Sequence, residues 1–267
     1  MSTVPAHGSL VLVTWALWWR EMARFFRQPS RIIGAIATPL VFWVLVGSGL
    51  GKSFRPPTQD QPVSFMQYAL PGTLVLIVLF TAIFSTMSTI EDRREGFLQS
   101  VLVAPASRFS IALGKVLGGA TIAVAQAMIF VILMPLVGLS LSAGSVACTL
   151  GALALVAFSL AGMGFLFAWQ MNSTQGFHAI MNLVLMPMWL LSGAFFPQTG
   201  ASPWMAAIIR LNPLTYGVGL VRYGLHLSSG TPGHGAPSLT LCLWVTILFA
   251  ALMVAGSGLV VGRTRPR

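Results

Sequence analysis

Long apolar runs separated by short polar segments divide the whole chain. Each run is long enough to cross the roughly 30 Å hydrocarbon core of a bilayer as a helix, which takes about 20 residues. Because the runs are apolar at every position rather than at alternate positions, they favour helices over the strands of a membrane β-barrel. The pattern predicts an all-α polytopic membrane protein, a single transmembrane domain over residues 1–267, with six spans at 31–50, 68–88, 110–137, 146–169, 176–196 and 238–261.

The segment that precedes the first span, residues 9–28, carries two stripes at helical spacing. One stripe is basic, at Arg20, Arg24 and Arg27, and the stripe beside it is aromatic and apolar, at Trp15, Trp18, Trp19, Met22, Phe25 and Phe26. Such stripes are typical of an amphipathic helix that lies in the plane of the membrane interface, and we favour this interpretation. The alternative is an ordinary flank of the first span whose arginines reach towards water.

Five consecutive charged residues, Glu91 to Glu95, lie between the second and third predicted spans. A charged group in lipid costs several kcal/mol, so this run must lie at a water face. Apolar residues recur after it at helical spacing, and Pro105 ends the pattern. The segment therefore predicts a short amphipathic helix over residues 91–105. Its apolar face consists of Phe97, Leu98, Val101 and Leu102.

Local contacts are also expected at the start of this helix. Ser88 and Glu91 have the spacing of a capping box, in which the glutamate reaches back to the serine amide. Glu91 and Arg94 are three residues apart and can form an ion pair on the helix surface. The helix could simply rest on the membrane without a partner, or it could insert into a groove of a cytoplasmic protein and transmit motion to the neighbouring spans.

The segment between the fifth and sixth spans, residues 197–236, is too apolar for a soluble loop and too interrupted for an easy span. Trp204, Ile208 and Leu211 share one helical face, and the pair Asn212-Pro213 interrupts it. Irregular backbone at membrane depth is tolerated where protein buries it or water reaches it. We therefore expect a re-entrant pair of helices at the external face.

The composition, with 56% hydrophobic and 7% charged residues, excludes an ordinary soluble domain, which carries roughly 25% charged residues. The net charge of +10 is interpreted as a topology signal and not as a nucleic-acid site, because Lys and Arg collect on the cytoplasmic side of membranes. Six spans with both termini in the cytoplasm place most of the 15 basic residues inside. This orientation puts Glu91 to Glu95 in the cytoplasm and predicts an integral protein of the cytoplasmic (inner) membrane.

Few residues in the chain suggest a catalytic, nucleotide-binding or metal-binding site. The segment from Gly47 to Ser53 resembles a phosphate-binding loop, but its glycine spacing is one residue short, so nucleotide binding is not expected. His226 and His234 lack a third ligand, and the five acidic residues offer no catalytic set, so neither a metal site nor an enzyme is predicted. No Asp, Glu or Lys lies at the middle of a predicted span, which argues against an ion-coupled secondary carrier.

Two blocks of residues together resemble the permease subunits of ABC-2 type ABC transporters, a superfamily that exports drugs, lipids and polysaccharides. The first block runs from Glu91 to Arg108 and continues to Leu113-Gly114-Lys115. The second comprises residues 191–197, Pro203-Trp204 and residues 211–216, and it ends near Arg222. The resemblance covers nearly the whole chain, because the in-plane helix and the six spans also fit.

The resemblance implies a permease that lacks its own motor. Two copies, or this chain and a second permease, would pair with cytoplasmic P-loop ATPases that use ATP and Mg²⁺, while this chain binds no cofactor. It implies ATPase coupling through Glu91, Asp92, Arg93, Arg94, Glu95, Gly96, Phe97, Leu98, Val101 and Leu102. It also implies an external re-entrant segment marked by Pro197, Pro203, Trp204, Asn212, Pro213, Tyr216 and Arg222.

The substrates that the resemblance implies are amphipathic drugs, lipids or lipid-linked saccharides, and no residue selects among them. Two other functions stay open on sequence grounds. A membrane scaffold would assemble other proteins without transport, and its phenotypes would not depend on ATP. An ion-coupled carrier would transport alone under an ion gradient, although the predicted span interiors lack the ionisable groups for this.

Overall fold

A computed structural model describes residues 10–28, 65–103, 107–137, 142–194, 202–227 and 237–263, together with a few isolated positions between 33 and 45. Within these ranges every regular element is helical. The α-helices are α1 (Leu10–Phe26), α2 (Phe65–Ser85), α3 (Ser88–Arg94), α4 (Phe97–Val103), α5 (Arg108–Leu133), α6 (Ala143–Gln170), α7 (Thr174–Trp189), α8 (Pro203–Leu211), α9 (Pro213–His226) and α10 (Leu239–Arg263). A 3₁₀ turn at Met134–Val137 extends α5, and a π turn at Leu190–Ala194 extends α7.

Five helical stretches are long and apolar enough to cross a membrane by length and composition. They are Tyr68–Arg94, Arg108–Leu133, Ala143–Gln170, Thr174–Ala194 and Leu239–Arg263. Each overlaps one of the predicted second to sixth spans. The first predicted span, 31–50, lies outside the described residues except for isolated positions. For the described residues, the predicted all-helical, membrane-type fold class is confirmed.

Helix α6 is the centre of the bundle and packs against α2, α5, α9 and α10. Small residues allow this close packing: a methyl group added at Gly164 would lie 3.0 Å from the Cα of Ile83 on α2. Inside a bilayer, helices associate through van der Waals contact rather than through release of water, so small residues at crossing points supply the stabilisation. The same helix therefore determines the relative positions of the two ends of the molecule.

Helices α8 and α9 form a pair within the predicted segment 197–236, and Asn212 separates them. Helix α9 runs antiparallel to α6, because Gly217 lies against Val156 and Gly224 lies against Thr149. The start of α9 is thus level with the middle of α6, and its end is close to the Ala143 end. Two helices in this segment agree with the sequence prediction, whereas their re-entrant position at the external face of a bilayer stays a prediction.

Candidate functional site

The charged segment is two helices rather than the single helix predicted over 91–105. Helix α3 ends because Gly96 adopts φ +77, and its amide donates to the Arg93 carbonyl at 3.3 Å. A left-handed glycine of this kind is the usual terminator of a helix, and the chain restarts as α4 at Phe97. The glycine therefore sets the angle between the charged and the apolar parts of the segment. Pro105 lies outside the described residues.

The two local contacts predicted at the start of this segment are wrong. Ser88 is the first residue of α3 rather than its cap, and its hydroxyl accepts a hydrogen bond from Lys115 Nζ at 3.1 Å. The Glu91 carboxylate pairs with Arg24 of α1, with 2.6 Å between Arg24 Nη2 and Glu91 Oε2. Contacts that are distant in sequence replace the local ones because α1 and α5 bring three cations to this face of α3.

Asp92 is the centre of these contacts and is fully buried. Arg20 binds it with both guanidinium nitrogens, with 2.7 Å for Nη1 to Oδ2 and 2.7 Å for Nη2 to Oδ1. Arg24 Nη1 donates to Oδ1 at 3.1 Å, and Lys115 Nζ donates to Oδ2. Paired hydrogen bonds between a guanidinium and a carboxylate are both strong and directional. The hydrogen bond to Asp92 raises the pKa of Arg20 above its ordinary value.

Lys115 completes the arrangement through a second carboxylate. Its Nζ lies 2.5 Å from Glu21 Oε1, and both side chains are buried. The resulting charge cluster contains three cations and three carboxylates, so its formal charges cancel: Arg20, Glu21, Arg24, Glu91, Asp92 and Lys115. The cluster joins α1, α3 and α5, and the removal of one member would leave an uncompensated charge in a buried place.

Several of these contacts differ from those that the sequence predicts. The arginines of α1 were expected to face the membrane interface, but Arg20 and Arg24 bind carboxylates of α3. Glu21 is absent from the predicted site, and Lys115 appears in the sequence analysis only at the end of the first block. The sequence does contain one signal for this contact. Glu21 is a single acid inside a basic stripe, and a buried acid needs a cation nearby. Which cation it meets depends on tertiary packing, which the sequence pattern does not give.

The arginines of α3 bind the end of the central helix. Arg93 donates to the Trp169 carbonyl at 2.5 Å and to the Met171 carbonyl at 3.1 Å. Arg94 donates to the Asn172 carbonyl at 2.8 Å. The last carbonyls of a helix lack partners within the helix and carry partial negative charge, so arginines are favourable there. Helix α3 is thus attached to α1, α5 and α6 at once.

The apolar face predicted on this segment contacts the protein itself. Leu98 is buried in the core, Val101 packs against it, and Phe97 lies under the Arg20 guanidinium at 3.6 Å. The side chain of Leu102 lies outside the described residues. The residues that face outward are mostly polar and form what we term the docking surface: Arg94, Glu95, Gln99, Ser100 and Val103. Coupling to an ATPase through these or the other predicted residues stays a prediction.

The predicted residues at the other end of the molecule are brought together around Asn212. Its side-chain oxygen caps α9 by accepting from the Leu214 amide at 3.0 Å, and its Nδ2 donates to the carbonyls of Met188 and Leu191 at 2.5 and 3.0 Å. Those carbonyls belong to the end of α7, where Gly193 has φ +76 and breaks the helix. One side chain therefore holds the helical pair against the broken end of α7.

The other predicted residues of this end have distinct positions. Pro203 and Pro213 each occupy the first turn of a helix, where a missing amide proton costs nothing. The Tyr216 hydroxyl donates to the Arg210 carbonyl at 2.8 Å, and Trp204 is exposed. Arg222 is buried and donates to the Gly193 carbonyl at 2.7 Å. Pro197 lies outside the described residues.

Replacement of Asn212 by serine should lower the free energy of unfolding by about 1–2 kcal/mol. Serine keeps an oxygen that can cap α9 but removes the two donors, which leaves buried carbonyls without partners. Thermal unfolding in detergent measures the change. Tyr216→Phe is the control, because it removes a hydrogen bond at an exposed position and should cost less than about 0.5 kcal/mol. Equal losses in both variants would contradict the role of Asn212.

Comparison with known proteins gives a consistent result. The family described as ABC-2 type transporter matches residues 13–226 of the chain. The daunorubicin resistance ABC transporter permease protein DrrB1 of Streptomyces coeruleorubidus is 24% identical, over 90% of this chain and 83% of that protein. Nodulation protein J of Neorhizobium galegae is 25% identical, over 90% of each chain. The inner membrane transport permease YadH of Escherichia coli is 27% identical, over 78% of this chain and 81% of that protein.

Proposed function

The chain belongs to the ABC-2 type transporter family, and we propose that it is the membrane-spanning permease subunit of an ATP-driven exporter. A separate cytoplasmic ATPase subunit supplies the energy from ATP and Mg²⁺, and this chain binds no cofactor. The permease works in the cytoplasmic membrane with both termini inside, as a homodimer or with a second permease. It moves an amphipathic drug, lipid or lipid-linked saccharide out of the cytoplasm or the inner leaflet.

The attachment of the docking surface to three helices carries this proposal. Glu91 and Asp92 bind α1 and α5 through the charge cluster, while Arg93 and Arg94 bind the end of α6. A force applied to α4 is therefore passed on to the membrane helices, because the adjoining α3 is fixed by ion pairs and hydrogen bonds on two sides. Such an arrangement suits a segment that receives force from a partner and passes it to the membrane helices.

The expected cargo follows from the chemistry of the helices and from the relatives. Five stretches are apolar along their length, which suits a hydrophobic or amphipathic substrate. One relative is named for daunorubicin resistance, which supports export of a compound that is harmful to the cell. The names of the other relatives reported above do not narrow the substrate further.

Glu95→Lys should reduce ATP-dependent export at least tenfold without destabilising the protein. Glu95 is an exposed residue of the docking surface, so reversal of its charge disturbs a partner but not the core. A like-charge contact in an interface costs more than 1.4 kcal/mol, which is a factor of ten in affinity. Co-purification of the ATPase with the tagged chain and substrate flux in vesicles measure the effect.

Arg210→Glu is the matched control, because it reverses an exposed charge on α8, away from the docking surface. It should leave ATPase association and flux unchanged. If Glu95→Lys exports as well as the native chain, the docking surface is not where the ATPase binds. If no phenotype of the chain depends on ATP, the scaffold function replaces the exporter.

A further inference from the structure

Arg222 is a buried cation that the proposed function does not use. Its side chain is only 9% exposed, and the described groups around it are a carbonyl and the ring and hydroxyl of Tyr68 rather than an acid. Nη2 donates to the Gly193 carbonyl at 2.7 Å, and the guanidinium lies 5.5 Å from the centre of the Tyr68 ring. A guanidinium has five N–H donors and a full charge, so one carbonyl and one hydroxyl satisfy it only in part.

The depth of Arg222 follows from its neighbours on α9. Gly217 lies against Val156 and Gly224 against Thr149, so Arg222 is level with the third turn of α6. That turn is about 12 Å from the Ala143 end of the helix, at 1.5 Å per residue. Helix α6 has 28 residues and so matches the full thickness of a bilayer with its headgroups, about 42 Å. On this match we expect Arg222 to lie just inside the hydrocarbon boundary.

The carboxylates in the described part of the chain are all at the opposite end of the bundle. They are Glu21, Glu91, Asp92 and Glu95, and they lie roughly 20–30 Å further along α6. An ionisable side chain at membrane depth is costly and is retained where it handles a charged ligand or faces a counter-ion. The remaining acid of the sequence, Asp60, lies outside the described residues and is tested below.

We propose that Arg222 binds the anionic head, a phosphate or carboxylate, of an amphiphilic substrate. The acyl or aromatic part of such a molecule lies in the hydrocarbon, and its charged head meets the guanidinium at the boundary. An arginine suits this role because its planar fork bonds two oxygens of one anion. The proposal rests on the proposed export function and narrows the amphipathic cargo to an anionic one.

A binding experiment tests the site without the ATPase. The purified chain, in nanodiscs of phosphatidylcholine, is titrated with a short-chain phosphatidic acid, with phosphatidylcholine of the same chain length, or with inorganic phosphate. Phosphatidic acid alone should raise the unfolding temperature, because a ligand that binds only the folded state stabilises it. Arg222→Gln should weaken this binding at least tenfold, and Arg222→Lys, which keeps the charge, should bind with intermediate affinity.

Two variants serve as controls. Arg210→Gln removes one positive charge from an exposed position and should bind phosphatidic acid like the native chain. Asp60→Asn should also leave binding unchanged; tighter binding after this change would show that Asp60 is the partner of Arg222 and would overturn the proposal. An equal response to phosphatidylcholine or to inorganic phosphate would overturn it as well.

A transport measurement then distinguishes a transported substrate from a lipid that only binds at the site. In vesicles that contain the permease with its ATPase, a fluorescent phosphatidic acid should move at least tenfold more slowly with Arg222→Gln, while a fluorescent phosphatidylcholine is unaffected. Binding of phosphatidic acid without its ATP-dependent movement, while phosphatidylcholine still moves, would overturn the assignment of an anionic cargo. Movement of neither lipid, with binding intact, would instead point to failure of the export function itself, so the two proposals can fail separately.

Discussion

Asp92→Ala should lower the free energy of unfolding by about 3–5 kcal/mol, the cost of removing one partner from a buried ion pair. Asp92 is fully buried and receives hydrogen bonds from Arg20, Arg24 and Lys115. Without it the cluster holds three cations and two carboxylates, and α1 loses its principal bond to α3. Thermal unfolding of the purified chain in nanodiscs measures the change, and ATP-dependent flux in vesicles should fall with it.

The control for Asp92 removes a negative charge from the same segment at an exposed place. Glu95→Gln should change stability by less than about 0.5 kcal/mol. A charge-balanced pair makes the test sharper: Asp92→Asn with Lys115→Met leaves two cations and two carboxylates. This double variant should be more stable than the sum of the two single changes predicts, by about 0.5–3 kcal/mol. Simple additivity would show that the cluster does not act as a unit.

The membrane helices could be predicted from the sequence because their signal is long and continuous. The predicted span 146–169 and the helix Ala143–Gln170 differ by three residues at one end and one at the other. The helix predicted at 9–28 is observed at Leu10–Phe26. Runs of this length leave no alternative fold in lipid, since every backbone amide and carbonyl must be bonded within the segment. The local pattern is then sufficient to predict the membrane helices.

The charged segment could be located from the sequence, but its contacts could not be predicted. The position of the charged segment follows from the cost of placing charges in lipid, whereas its contacts follow from packing between helices far apart in sequence. Lys115 and Glu21 are 94 residues apart, and no local pattern relates them. Gly96 was counted as part of one helix, because a single glycine does not reveal whether its φ is negative or positive.

The contacts along α6 differ between its ends and its middle. At the Gln170 end, charges and carbonyls attach the docking surface to three helices. Further along α6, Asn212 near its middle and Arg222 nearer its Ala143 end bond to carbonyls where α7 is broken. Between them the contacts are small residues and apolar side chains, which transmit displacement because a close-packed interior is not compressible. Movement at one end is therefore expected to reach the other through α6.

Gly224→Ala should destabilise the protein by about 1–3 kcal/mol and weaken this connection. The added methyl group would lie 2.8 Å from both the Cα and the amide nitrogen of Thr149, so α9 or α6 must move. Gly151→Ala on α6 is the matched control, because no atom lies within 4 Å of its added methyl group. That change should be neutral or stabilise the helix by up to about 1 kcal/mol.

The difference between the two glycine variants isolates the effect of close packing, since both replace glycine by alanine inside a helix. Unfolding temperature in nanodiscs should separate them, and the unfolding midpoint in denaturant should fall in Gly224→Ala only. The flux of the exporter should fall in this variant while the ATPase still co-purifies, because the docking surface is far from Gly224. Equal stability of the two variants would show that α9 does not depend on contact with α6, and transmission through this helix would then be excluded.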